Sequence, residues 1–198
     1  MSVRDVASGV QTFEVRLAAA QIGAPWACRT LWADYSPAVA AFLRARGSRD
    51  PDDLTSEVFL AVFDQLARFT GGEPEFRSFV FSIAYRRLTD ELRRRSRRGE
   101  PVEWSPQTDP RRAPSAEEVA HGRLGDASAL TLLDGLPEDQ RNVMVLRIIG
   151  DLTVEQISVT LGKRVGAVKA LQRRALESLR RKYSAARTLP RPSVDSTQ

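Results

Sequence analysis

Apolar residues along this chain recur at spacings of three and four over long stretches, and strand-like alternation is sustained nowhere. The pattern predicts an all-α chain. Leu54, Val58, Val62, Leu66 and Phe69 fall at helical spacing, and Asp52 and Asp53 precede them where acids favour a helix start. "TGGEPEF" then interrupts the pattern with glycines and a proline, so it reads as a loop. Beyond it, Phe76, Phe79, Val80, Ile83 and Ala84 form one apolar stripe, extended by Leu88 and Leu92. Upstream, "SPAVAAFLRARG" offers Ser36 as an N-cap, Pro37 at the first helical position and Gly47 just past the end.

Between about Gly99 and Gly125 the periodicity lapses. "GEPVEWSPQTDPRRAPSAEE" holds four prolines in twenty residues and too few apolar positions for a core, so it reads as a linker. Trp104 within it either docks on a partner or packs back on its own domain. Helical spacing returns from about Ala127 to Tyr183, with Pro137 at a helix start and Val143 and Leu146 on one face. The tail "SAARTLPRPSVDSTQ" is polar and reads as disordered. The expected organisation is an N-terminal extension at 1–25, a helical domain at 26–98, a flexible linker at 99–126, a second helical domain at 127–184 and a disordered tail at 185–198.

"TVEQISVTLGKRVGAVKALQRR", Thr153–Arg174, reads as a helix-turn-helix. Thr153 and Gln156 have the spacing of a capping box. Ile157 and Leu161 point inward, Ser158 is small enough to let a second helix cross closely, and Gly162 suits a left-handed turn. Val168, Leu171, Ala175 and Leu179 make one buried stripe. The opposite face carries Lys169 and Arg173, flanked by Gln172, with Lys163 and Arg164 at its entry. From Lys163 to Lys182 eight basic residues face one acid, Glu177. In such a motif the second helix enters the major groove, where Arg and Lys suit guanine acceptors and Gln suits adenine. A helical hairpin with a solvated basic face is the plainer alternative.

Composition narrows the classes. A chain of 198 residues has room for one or two domains. At 42% hydrophobic it can build cores, and its net charge of +5 favours an acidic partner, nucleic acid first, or is simply a basic surface. Cys28 and His121 are the sole residues of their types. They cannot form a structural zinc site or an internal disulfide, and they argue against a histidine-based triad. No metal or cofactor is expected. No apolar run approaches the ~20 residues of a membrane span, and the first twenty residues lack a continuous apolar stretch of the signal-peptide kind. The expectation is a cytoplasmic protein without membrane insertion.

Taken together, the two helical blocks resemble the extracytoplasmic-function (ECF) group of bacterial RNA polymerase sigma factors, within the sigma-70 family. "DDLTSEVFLAVFDQLARF…FRSFVFSIAYRRLTDELRRRSRR" is similar to the family's region 2, and "LPEDQRNVMVLRIIGDLTVEQISVTLGKRVGAVKALQRRALESLRR" to its region 4. The likeness covers about Leu31–Arg98 and Leu130–Tyr183, with the Pro-rich stretch where the family has its interdomain linker. It implies a non-enzymatic subunit that binds core RNA polymerase through the β′ clamp helices and the β flap, recognises promoter −35 and −10 elements and helps melt DNA. An anti-sigma factor is a further partner that the likeness allows.

The resemblance also assigns residues. Asp53 and Glu57 would offer charge to the clamp helices. Phe59 is either an apolar contact for them or a core residue, as Asp53 is either a contact or a helix-start acid. The helix after the loop looks like the −10 reader, where aromatic faces accept unstacked bases and basic residues track the backbone. Phe81 and Tyr85 lie four apart and mostly off the stripe, so they can face a strand. Phe69 and Phe76 flank the loop that in the family helps hold a flipped base, with plain core aromatics as the other reading. Arg77, Arg86 and Arg93 complete the −10 set, within a run of seven arginines in the thirteen residues from Arg86 to Arg98. Lys163, Arg164, Lys169, Gln172 and Arg173 form the −35 set.

The chain departs from the family's pattern in places. Arg86 stands where Asn is common, Ala167, Ala170, Leu171 and Gln172 alter the recognition helix, and Arg164 replaces a Ser N-cap. The promoter sequence is therefore not transferable from relatives. A stand-alone helix-turn-helix regulator is the alternative, but it leaves the arginine-rich helix with its aromatics without a role. An enzyme would need a carboxylate cluster or a nucleophile, and Asp52, Asp53 and Glu57 are accounted for by a helix start.

Overall fold

The computed structural model describes residues 11–99, 133 and 135–187. Among them are seven helices and no strand: α1 (Phe13–Gln21), α2 (Pro25–Ala45), α3 (Pro51–Leu66), α4 (Glu73–Arg97), α5 (Glu138–Ile148), α6 (Val154–Leu161) and α7 (Val165–Arg187). The all-α expectation holds. The described residues gather into two compact units, the first made of residues 11–99 with 145–165, the second of residues 133, 135–144 and 166–187. Trp104, His121, the Pro-rich stretch and the chain beyond 187 lie outside the described residues.

In the first unit, α2 differs from expectation. Ser36 is not a cap and Pro37 does not start the helix. Pro25 occupies the first turn, and the helix runs through Pro37 to Ala45. The reason lies in the stripe: Ala27, Leu31, Tyr35, Val39, Phe42 and Leu43 are buried in one phase across the proline. Burial of that face outweighs the backbone hydrogen bond that proline cannot make. Pro37 itself faces solvent. Gly47, with φ +80°, turns the chain just past the end, as expected.

α3 starts on Asp50, whose carboxylate accepts the Asp53 backbone N–H at 3.1 Å, with Pro51 next and Asp52 and Asp53 in the first turn. Leu54, Val58, Val62 and Leu66 are buried as the periodicity predicts. α4 opens after Gly72, whose N–H donates to the Glu75 carboxylate at 2.9 Å. At its far end α4 grips the α2–α3 turn. The Glu91 carboxylate accepts from the Ser48 hydroxyl at 2.7 Å and the Arg49 N–H at 2.8 Å, and Arg95 donates to the Gly47 carbonyl at 2.9 Å. α1 packs on α2 and α3 through Phe13, Leu17 and Ala20. Residues 13–21 are thus built into the unit.

α6 lies on α4 within the same unit. The Ser82 and Thr160 hydroxyls, both buried, meet at 3.0 Å, and Gln156 donates to the Pro74 carbonyl at 2.9 Å. The predicted capping box is present: Gln156 N–H donates to the Thr153 hydroxyl at 3.2 Å, and Thr153 N–H to the Gln156 side chain at 2.8 Å. Gly162 ends α6 at φ +63°, ψ +29°, the left-handed turn expected of it. In the second unit, Leu133, Leu136, Val143, Met144, Val168 and Ala175 are buried. Arg141 donates to the Leu133 and Leu136 carbonyls at 3.3 and 3.4 Å, closing the turn before α5.

Two outcomes follow from this packing. Leu66→Ala, at a buried helix end, should cost ~2–5 kcal/mol, while Leu60→Ala, at 66% exposure, should stay within about 0.5 kcal/mol. Equilibrium urea unfolding followed by circular dichroism checks this, and equal costs at the two positions would contradict the assigned α3 face. Thr153→Ala should lower the local opening free energy at the Gln156 amide by ~1 kcal/mol, read by hydrogen exchange, and Thr153→Ser should leave it unchanged.

Candidate nucleic-acid interface

The C-terminal half of α4 is a cationic ridge. Arg86, Arg87, Arg93, Arg94, Arg97 and Arg98 are exposed, while Arg95 is half-buried against the α2–α3 turn. Among the described residues Asp90 answers only Arg93, at 3.9 Å between exposed groups, a pairing worth little in water. The excess positive charge therefore points to solvent, where it can track a phosphate backbone.

The aromatic residues divide. Phe76 is fully buried and Phe81 is 1% exposed. Phe81 packs edge-on against Phe42, ring centres 5.7 Å apart. The expectation that Phe81 faces a strand is corrected: α2, α3 and α6 all pack on α4, so its buried face is wider than the single stripe read from the sequence. Phe76, for which a core role stood beside a base-holding one, is a core residue. Phe69, Phe79 and Tyr85 remain half-exposed. The Phe69 and Phe79 rings lie 5.3 Å apart beside the α3–α4 loop, and Phe79 carries no separate signal in the sequence because it continues the stripe of Phe76. Within that loop Gly71 has φ +141°, and a Cβ there would meet the Glu75 Cβ at 2.8 Å and the Phe69 ring at 3.3 Å. The positive φ and the crowding by Glu75 both favour glycine at this position.

Arg77 is engaged inside the first unit. It pairs with Glu73 at 3.3 Å and with Asp151 at 2.9 Å. The Tyr35 hydroxyl donates to the same Glu73 carboxylate at 3.1 Å. Burial pushes the Tyr35 hydroxyl far above its usual pKa, and the Glu73 charge and hydrogen bond add to the shift, so it stays a donor. Tyr35, Glu73 and Arg77, with Phe81 and Gly150, line a cleft of about 180 Å³, smaller than the ~300 Å³ at which ligand pockets begin.

On α3, Asp53 is exposed and Glu57 half-buried. Phe59 is 1% exposed and packs between Trp32 and Phe63, at 4.7 and 5.8 Å. Of its two readings, the core one is correct. The exposed apolar groups here are Leu60 and Trp32. Leu60 could have been found as an apolar residue out of phase with the stripe, and Trp32 has no such signal.

In the α6–α7 turn, the Ser158 hydroxyl donates to the Lys163 carbonyl at 2.6 Å, so Ser158 fastens the turn by a hydrogen bond. Arg164 is exposed and Lys163 half-buried. On α7, Lys169 and Arg173 are exposed and Gln172 half-buried. Glu177 lies 3.9 Å from Arg173 on the surface and leaves the face basic. Among the described residues no group of three His, Cys, Asp or Glu side chains is placed to hold a metal ion, and no helix is long and apolar enough to cross a membrane.

Comparison with known proteins accounts for both regions. Residues 31–98 match the family model for sigma-70 region 2, and residues 132–181 that for sigma-70, region 4. The ECF RNA polymerase sigma factor ShbA of Streptomyces griseus is 34% identical over 164 residues, covering 78% of this chain and 86% of that protein. The ECF RNA polymerase sigma factor SigD of Mycobacterium tuberculosis is 31% identical over 173 residues, covering 81% and 78%. The solved structure of CnrH in complex with the cytosolic domain of CnrY aligns with a TM-score of 0.61 at 26% identity, covering 88% of this chain and 99% of that one. With a region 2 followed by a region 4 and relatives matched over most of their length, the chain belongs to the ECF group of the sigma-70 family.

Proposed function

We propose that this chain directs core RNA polymerase to promoters through a division of labour between its two family regions, without catalysing a reaction itself. The observation that carries the reading is the occurrence of region 2 at 31–98 and region 4 at 132–181 in one chain. Polymerase performs the chemistry, and the chain supplies positioning and strand opening.

In this reading the α3 surface around Asp53 and Glu57, with Leu60 and Trp32 as its apolar part, docks on the β′ clamp helices, and region 4 meets the β flap. The α4 ridge, Arg86 and Arg93 included, follows the −10 phosphates. Tyr85, Phe69 and Phe79 present aromatic faces to unstacked bases, each stacked base contributing ~1–3 kcal/mol. α7 offers Lys169, Gln172 and Arg173 to the −35 major groove, with Lys163 and Arg164 at its entry for phosphates. Two contacts of modest strength on one chain reinforce each other through effective concentration. Promoter DNA and polymerase place the chain's action in the cytoplasm. CnrH was solved bound to the cytosolic domain of CnrY, which supports a protein partner of the anti-sigma kind here. The stand-alone regulator reading is not favoured, because it gives region 2 nothing to do.

Mixing the chain with core polymerase and a promoter library, and mapping transcription starts, tests the proposal. Starts that require the chain are expected, and Glu57→Lys should weaken core binding by roughly tenfold, about 1.4 kcal/mol. Footprints without any effect on initiation would refute it. On a duplex −35 site, Lys163→Ala with Arg164→Ala, at the entry of α7, should reduce the slope of log affinity against log salt by about two, as two phosphate contacts are lost. An unchanged slope would remove the entry of α7 from the interface.

A further inference from the structure

The α3–α4 loop is braced from behind by α1, a helix to which the promoter-reading scheme above gives no part. Gln21, the last residue of α1, donates its side-chain amide to the Phe69 carbonyl at 2.8 Å and the Leu66 carbonyl at 3.2 Å. Two carbonyls facing one amide fix its orientation, because the flipped amide would set oxygen against oxygen. Leu66 closes α3, and its carbonyl also accepts the Phe69 backbone N–H at 3.0 Å. Phe69 is the loop aromatic that a side chain at Gly71 would meet, at 3.3 Å from its Cβ. At the other end of α1, Phe13 packs on Phe76 at 5.5 Å, and Phe76 packs edge-on against Phe69 at 5.6 Å. Arg16 pairs with Asp34, tying α1 to α2. One short helix thus holds the loop by its backbone and by its ring.

We propose that Gln21 is a positioning residue for base capture, holding the Phe69 ring and the Gly71–Gly72 backbone in the geometry that accepts an unstacked −10 base. The proposal rests on the reading of this loop as the base acceptor. Paired glycines have wide conformational freedom, and ordering them at the moment of melting would cost free energy that a preset loop has already met. The two hydrogen bonds from Gln21 anchor the residues just before those glycines. Gln21 bonds to the backbone carbonyls of Leu66 and Phe69, so in this proposal it acts on the base only through the loop it holds.

The test uses holoenzyme on the promoter found by start mapping. Open-complex formation is followed by 2-aminopurine fluorescence on that promoter, on a set with single −10 substitutions and on a set with single −35 substitutions. Gln21→Glu keeps the shape of the side chain but turns an acceptor toward the two carbonyls, and Gln21→Met keeps length without donors. Both should reduce the preference for the native base at one −10 position by roughly fivefold or more, with −35 preferences and core affinity unchanged. A brace that serves stability alone would lower the rate on every template by one factor and leave the ratios intact. That result, or wild-type ratios in Gln21→Met, overturns the proposal. Wild-type holoenzyme indifferent to every −10 base would instead remove the loop's role as acceptor, and the Gln21 proposal with it.

Discussion

The buried ring of Phe76 is the contact on which the first unit depends. Tyr35 from α2, Phe13 from α1, and Phe69 and Phe79 from the rim of the α3–α4 loop all lie within 5.2–6.3 Å of it. Removing such a ring from a core costs ~3–5 kcal/mol, and here the loss would reach three helices and the loop at once. The same cluster explains why an aromatic can remain half-exposed beside the loop. Phe69 is held on its inner side by Phe76 and Phe79, so its outer side can face water without the ring being loose.

Charge serves two opposite purposes in this molecule. Glu91 and Arg95 turn inward to fasten the α2–α3 turn, and Arg77, Glu73 and Tyr35 form a chain of contacts that continues to Asp151. The remaining arginines of α4, and Lys169 and Arg173 of α7, point outward with few acids near them. Inward pairs act through partners within hydrogen-bond reach, whereas outward charge acts at a distance on a polyanion and fades with salt. A run of like charges in one helix therefore contains both kinds.

The N-terminal helix changes the account of region 2. The family model begins at residue 31, yet α1 lies before it and contributes Phe13, Leu17, Ala20 and Gln21 to the same core and loop. The boundary of a sequence family and the boundary of a folded unit need not coincide, because the first follows similarity and the second follows buried surface.

Local chemistry was legible in the sequence. The helical period of α3 and α4, the Thr153–Gln156 capping box and the left-handed Gly162 each depend on residues within about one turn of one another, so spacing alone determined them. The exposed basic face of α7 followed from its own period. What only the tertiary structure decided depends on which elements meet. Phe81 looked free because one stripe already accounted for α4, and the packing of α2, α3 and α6 around that helix buried it. Phe59 became core because Trp32, twenty-seven positions earlier in the chain, covers it. Ser36 and Pro37 carried a local start signal that the burial of a longer stripe overrode. Gln21 had no signal at all, since its partners are carbonyls at 66 and 69 that only folding brings within reach.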